Sequence, residues 1–301
     1  MTRSYPFLIG SLAAIWGASY LFIKVAVRDF SPPAMMEIRL AVAALVLACV
    51  LVATTGLGGA IEELRGAGWH ALGIGVVNGA IPFTLIAWGE KHIDSGVAAI
   101  ANATVPIFSA ALAPLMLRSE RVGGARLFGI LVGLVGVGVL AGGQPTVTWW
   151  FIAGTLAVVG SSLSYAISGF WAQRRLRTAS NTALATASMA GGALALLPLA
   201  LIYRPHEMPG AKPVLSLAAL TLLGTALAQL ILYRSIREHG TARTNLVTYL
   251  MPPAALFYGW LLLDEHITAA TAAGLGLILA GVAFGSGAVR VPRRATAVAE
   301  P

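Results

Sequence analysis

Charge is scarce in this sequence. Its 301 residues include 20 Lys and Arg and 12 Asp and Glu, or 11% charged. A soluble domain carries about 25%, which at this length would be about 75 charges. So few charges cannot coat a water-facing surface of this size. A soluble enzyme, a disordered chain and a nucleic-acid-binding domain are excluded on that ground. Cysteine is nearly absent: Cys49 stands alone inside an apolar run, so no internal disulfide is possible. The five histidines, His70, His92, His206, His239 and His266, all fall near expected helix ends, and none has HExxH spacing. There is no glycine-rich phosphate loop, and no paired acids or Ser–His arrangement lies deep in an apolar run. No catalytic residue, metal or cofactor is therefore expected.

What is abundant is apolar. Hydrophobic residues make up 57% of the chain, and the mean hydropathy is +0.81. These values describe an integral membrane protein, in which a spanning helix needs about 20 apolar residues. Strands are excluded because the runs are long and continuous rather than ~10-residue alternating segments. No charge lies between Arg126 and Arg174, and Gly142-Gly143-Gln144-Pro145-Thr146 divides that stretch in two. Ten spans are expected, at about 6–26, 34–55, 69–89, 95–117, 125–142, 148–172, 181–203, 213–235, 241–263 and 268–288. The run after Arg3 extends to Lys24, longer than a signal-peptide core, so it is read as a retained first span. With the N-terminus in the cytoplasm, 14 Lys and Arg fall inside and 6 outside. The positive-inside rule then puts both termini in the cytoplasm of a multi-pass cell (inner) membrane protein. The net charge of +8 faces anionic lipid rather than nucleic acid.

The second half echoes the first at a separation near 145 residues. Ser19-Tyr20 matches Ser164-Tyr165, Pro106 matches Pro252, Glu120 matches Glu265, and Gly129 and Gly136 match Gly274 and Gly281. Five spans per copy is an odd number, so the second copy is inverted. The expected units are residues 1–145, residues 146–289, and a basic cytoplasmic tail at 290–301. Inverted repeats are the architecture of secondary transporters, with the substrate site between the halves near the midplane.

Several local patterns resemble a known family. Trp16-Gly17-Ala18-Ser19 with Lys24 resembles the W-G-x-S-x4-K opening of EamA-type exporters in the drug/metabolite transporter superfamily. Pro32 with Arg39 resembles the start of their second span. Leu263-Asp264-Glu265, thirteen residues after Pro252, resembles their proline-to-L-G-E segment, with Asp264 in place of the usual Gly. Arg118-Ser119-Glu120 is a looser copy after Pro106. The resemblance covers about residues 6 to 288 and implies a ten-span inverted-repeat exporter, mostly of amino acids including aromatic ones. Its expected partners are a small-molecule substrate and the bilayer, and it is expected to act as a monomer. Other readings stay open: an intramembrane enzyme, a channel, or an exporter of other metabolites or of drugs such as cationic compounds.

Polar side chains in a membrane helix face the bundle or a water-filled cavity. Thr221, Thr225, Gln229 and Tyr233 recur every four residues on the eighth span. Thr244, Asn245, Thr248 and Tyr249 share a face on the ninth. Ser161, Ser164, Tyr165, Ser168 and Trp171 mark the sixth, and Trp16, Ser19, Tyr20 and Lys24 the first. Asn78, Trp88 and Asn102 come from the third and fourth. The expected pathway residues are Trp16, Ser19, Tyr20, Asn78, Trp88, Asn102, Ser164, Tyr165, Trp171, Gln229, Tyr233, Asn245 and Tyr249. The same residues can instead pack between helices, and the tryptophans can form an interfacial belt, as Trp149-Trp150 is read to do. Lys24 and Glu37 are read as charges at the outer mouth, forming either an ion pair or a carboxylate site. Arg39 and Lys91 are read as snorkelling. Pro106 and Pro252 are candidate hinges or static bends. The glycines of the fifth and tenth spans are read as packing positions.

Overall fold

The computed structural model describes residues 4–116, 124–143, 147–175, 180–205 and 207–285. The described residues are helices and connecting turns, with no strand among them. Seven helical runs are long and apolar enough to cross a membrane, and Val247–Leu263 and Ala269–Phe284 are shorter apolar helices.

Helix α1 covers Ser4–Ala26. Ser31 precedes α2 (Pro32–Gly75), whose prolines fill the first helical positions, where a missing N–H costs nothing. A π-helical turn at Val76–Ala80 and α3 (Ile81–Gly89) continue the run to Glu90. At 1.5 Å per residue, its 59 residues would extend about three bilayer-core thicknesses if straight. They are not straight: Gly56 (φ 74°) and Gly68 (φ 64°) take left-handed backbone that glycine adopts without a Cβ penalty. These breaks flank the gap expected between the second and third spans.

Helices α4 (Ser95–Asn102) and α5 (Val105–Met116) occupy the expected fourth span but are separated by a turn. The reason is Pro106. It has no N–H for the carbonyl of Asn102, and Ser162 Oγ lies 3.2 Å from that freed oxygen. Helices α6 (Gly124–Gly142), α7 (Trp149–Arg175) and α8 (Asn181–Ile202) follow, with Ser180 capping α8 through Ala183 N–H at 3.2 Å. Helix α9 (Ala211–Thr221), a second π-helical turn at Leu222–Leu227 and α10 (Ala228–His239) form one continuous run. The two π turns stand at corresponding places in the two halves of the chain. The expected ninth span is likewise broken, into α11 (Thr241–Thr244) and α12 (Val247–Leu263); α13 (Ala269–Gly285) ends the described chain. Pro252, unlike Pro106, sits inside an uninterrupted helix.

Two classes of contact hold these helices. Small residues permit close backbone approach: a Cβ on Gly17 would stand 2.6 Å from the Ala254 Cβ, and one on Gly281 would stand 2.6 Å from the Gly129 carbonyl. This gives the glycine of the W-G-x-S motif a packing role between α1 and α12. The α6–α13 pair is closed in the same way. Large apolar side chains (Leu12, Met35, Met36, Leu40, Leu47, Ile107 and Ile278) fill the remaining interior. Glu120, Arg118, Arg3, His206 and the tail at 290–301 lie outside the described residues.

Candidate functional site

The helices enclose a cavity of about 330 Å³, in the range of small-molecule sites. The first half of the chain contributes Trp16, Ser19, Tyr20, Ile23, Arg39, Asn78, Phe83, Ile86, Asn102 and Val105. The second contributes Tyr165, Met189, Gly224, Thr225, Gln229, Leu232, Thr248 and Met251. Both π turns supply lining residues, Asn78 from one and Gly224 with Thr225 from the other. A π turn widens the helix to i→i+5 bonding, and Thr225 Oγ1 accordingly donates to the Leu220 carbonyl, five residues back, at 3.2 Å. This wider turn shifts the register and breaks the four-residue stripe expected on this run. Thr225 and Gln229 line the cavity, Thr221 donates to its own Leu217 carbonyl, and Tyr233 packs against the apolar core.

A hydrogen-bonded strip orders one wall. Asn102 Nδ2 donates to Tyr20 Oη at 2.8 Å, and Ser161 Oγ lies 3.3 Å from Asn102 Oδ1. Ser168 Oγ donates to Asn78 Oδ1 at 2.9 Å. Asn78 and Asn102, half-buried at the cavity wall, are thus held in defined orientations by hydroxyls of α7. Ser164 donates to the Val77 carbonyl at the π turn rather than facing the cavity.

The structure brings seven of the expected pathway residues to the lining: Trp16, Ser19, Tyr20, Asn78, Asn102, Tyr165 and Gln229. It places the others elsewhere. Trp88 joins His92 and Trp150 in an aromatic cluster, with His92 stacked on Trp150 at 5.0 Å. Trp171 packs over Gly73 and lies edge-on to His70. Tyr249 packs against the core, and Asn245 is exposed at the α11–α12 break.

The charged groups depart most from expectation. Lys24 is directed not to Glu37 but to α3: its Nζ donates to the backbone carbonyls of Glu90 at 2.8 Å and Ile93 at 2.7 Å. The open carbonyls past a helix C-terminus attract a cation in this way. Arg39, expected to snorkel, is 5% exposed and lines the cavity. Its Nε donates to Thr225 Oγ1 at 2.8 Å, and its guanidinium lies 3.9 Å from the centre of the Phe83 ring. Glu90 is fully buried, and neither carboxylate oxygen has a hydrogen-bond partner among the described residues.

A further junction joins the halves beside Lys24. The Glu265 carboxylate accepts from Ser95 N–H and Ser95 Oγ, both at 2.8 Å, and from Gly96 N–H at 3.3 Å. It caps α4, where a helix N-terminus favours negative charge. Asp264 reaches this junction in left-handed backbone (φ 55°), and the amides of Asp264 and Glu265 both close on the Gly259 carbonyl. The family-typical Gly suits that conformation without strain, and Asp is among the residues that tolerate it. Burial, and then the neighbouring Glu265, push the Asp94 carboxyl above its ordinary range. Burial, followed by Lys91 and Lys24, lowers His92. Among the described residues, no group of three or more His, Cys, Asp or Glu could hold a metal ion.

The family model for EamA-like transporters matches this chain twice, over residues 4–142 and 152–286. The chain belongs to the EamA-like transporter family. It is 27% identical over 275 residues to an uncharacterized transporter of Archaeoglobus fulgidus, covering 89% of this chain and 93% of the relative. It is 28% identical over 273 residues to a probable terminal-alkyne amino-acid exporter of Streptantibioticus cattleyicolor, covering 89% and 88%. An uncharacterized inner membrane transporter of Escherichia coli is 26% identical over 282 residues, covering 91% and 89%. A crystal structure shares the fold with a TM-score of 0.65 at 17% identity, over 95% of this chain and 97% of the other. The family and the relatives' names are those of transporters rather than enzymes, which implies a membrane setting and a small-molecule substrate.

Proposed function

We propose that this chain is a ten-span secondary transporter that exports small metabolites, foremost a broad set of amino acids, by alternating access through the central cavity. The observation that carries this reading is a cavity lined by residues from both halves of the chain and mixing aromatic with polar groups. Aromatic rings give apolar contact, while Asn, Gln and Ser bind amino and carboxylate groups. The double family match, the corresponding π turns and the Ser-Tyr pairs support two inverted repeats, at 1–145 and 146–289. The relative named as an amino-acid exporter supports the substrate class. Trp16, Ser19, Tyr20, Asn78, Asn102, Tyr165 and Gln229 form the proposed pathway. Trp88, Ser164, Trp171, Tyr233 and Tyr249 support its walls and ends. Lys24 belongs to the outer mouth, and the break at Pro106 with the bend at Pro252 are its hinges.

Two experiments test the reading. Efflux from liposomes holding the reconstituted protein is measured over a panel of amino acids, with and without a pH gradient. Several amino acids should leave faster than from protein-free vesicles, and the absence of any such efflux defeats the amino-acid assignment. With Cys49 replaced by Ala, a cysteine at Met208 should react with an impermeant reagent added outside cells, and one at Arg234 should not. The reverse labelling overturns the orientation, which puts both termini in the cytoplasm of the inner membrane.

A further inference from the structure

The cavity contains a fixed positive charge that the metabolite-export reading leaves unexplained. Arg39 is 5% exposed in a bundle where a buried charge is costly unless it is paired. Its Nε is committed to Thr225 Oγ1 at 2.8 Å, and its only other hydrogen-bond contact among the described residues is a weak one, from Nη1 to the Met36 sulfur at 3.8 Å. No carboxylate forms an ion pair with it among the described residues. Phe83 provides a face 3.9 Å away and fixes the plane of the guanidinium. Thr225 is itself held by the π turn, through its bond to the Leu220 carbonyl. The cation is therefore clamped on one edge and one face, while its terminal nitrogens have no oxygen partner among the described residues.

The surrounding groups reinforce this asymmetry. No Asp or Glu lines the cavity among the described residues. From α1 comes Tyr20 and from α7 Tyr165, both of which line the cavity with Arg39. The acid whose charge acts on Arg39 is Glu90, just after α3, and it lies outside the lining. A cavity with one oriented guanidinium and no carboxylate repels organic cations and attracts an anion that can accept two parallel N–H bonds.

We propose that Arg39 is the carboxylate-recognising residue of the cavity, so that the transporter selects compounds bearing a carboxylate and rejects amines and quaternary ammonium compounds of the same shape. The site takes the carboxylate on the Arg39 fork and leaves the substrate's remaining atoms to Tyr20, Tyr165 and Gln229. This rests on the central cavity being the substrate site, but not on the substrate being an amino acid.

The test uses the purified full chain in detergent and reads ligand-induced shifts of its thermal unfolding. The probes are phenylacetate, phenylacetamide and phenethylamine, with acetate-chain homologues as a second matched series. Phenylacetate should raise the unfolding temperature, and the amide and amine should not at the same concentration. Arg39→Gln should weaken the carboxylate effect by about tenfold or more in concentration, as expected for loss of a charge-assisted hydrogen bond. Arg39→Lys, which keeps the charge without the fork, should fall between the two. Equal shifts from all three compounds, a larger shift from the amine, or no shift from any of them overturns the proposal using the wild-type chain alone. The Glu90→Gln/Arg39→Gln double variant addresses the other role open to Arg39, as a counter-charge to Glu90. If it recovers wild-type carboxylate binding, Arg39 only compensates Glu90 and the proposal falls; continued loss supports it. Carboxylate-selective binding without amino-acid efflux defeats the amino-acid reading and leaves the Arg39 assignment standing. Amino-acid efflux with equal binding of acids and amines does the opposite.

Discussion

The α6–α13 seam and the central cavity are built from opposite materials. At the seam, Gly133, Gly136, Gly274 and Gly281 let the α6 and α13 backbones approach closely. At the cavity, Tyr20, Asn78, Asn102 and Gln229 hold the helices apart around a space. Without water between helices, close van der Waals packing is the main available adhesive, and small residues maximise it. Polar residues bind more strongly but each needs its partners satisfied. A transporter needs both: contacts that stay fixed and a wall with groups left for a substrate. The difference is that small residues mark where the helices adhere, while polar ones line the space proposed above as the substrate site.

The strongest way to break this comparison is at the seam. Gly281→Leu places a side chain against backbone atoms 2.6 Å away, so it should destabilise by about 3 kcal/mol or more and abolish monodisperse protein on size-exclusion chromatography. Gly138→Leu on the same α6 has open space around its Cβ and should purify normally. Equal yields for both would make the seam adaptable rather than fixed.

The cavity side is sharpened by a contrasting pair. Gln229→Ala should reduce efflux by about tenfold, the scale of one lost hydrogen bond to substrate, with the unfolding temperature near wild type. Asn245→Ala, exposed and off the lining, should transport normally. If Asn245→Ala is the defective one, the lining seen here is not the pathway.

The junction beside Lys24 shares features of both regions. Glu265→Gln removes the charge from the cap on Ser95 and Gly96 and should lower stability by about 1 kcal/mol, read by thermal unfolding. Asp264→Gly should act in the other direction by about 0.5 kcal/mol, because glycine accepts the φ of 55° without a Cβ penalty. Stabilisation by both or by neither would separate the cap from the backbone turn.

The smallest effect expected is electrostatic. The Asp94 carboxyl is raised by burial and by Glu265, so the folded state disfavours its charged form. Its contribution to stability is present below the unfolded value and is lost as pH rises through the folded one. Asp94→Asn should therefore raise the unfolding temperature slightly near pH 7, and the gap should close in acid. A gap that widens in acid would mean Asp94 is stabilised as an anion.

Much of this molecule was legible from its residues one helix at a time. Long uncharged runs identify membrane helices because no lipid-facing position tolerates a charge, and the glycines at 129, 136, 274 and 281 identified the packing seam. Tyr20, Asn78, Asn102, Tyr165 and Gln229 could be singled out because a polar group in an apolar helix needs a partner or a cavity. The four-residue stripe expected on the eighth span is interrupted, since a π turn changes the rotation per residue and leaves little mark in periodicity. Trp88 and Trp171 could be found as aromatics but not assigned, because belt, packing and cavity positions share one composition.

The charges were decided by tertiary structure alone. Arg39, Glu90 and Lys24 all stand near helix ends, and hydropathy treats any such residue as able to reach the interface. Whether it does depends on which neighbouring helix covers it. The π turn of the α9–α10 run covers Arg39 and brings Thr225 to its Nε. The end of α3 draws Lys24 away from Glu37 and leaves Glu90 buried. Sequence determined that this chain is a bundle of membrane helices with a duplicated pattern, because solvation by lipid acts on each helix separately. Which charge faces the cavity is a property of pairs of helices, and the pairing exists only once they have packed.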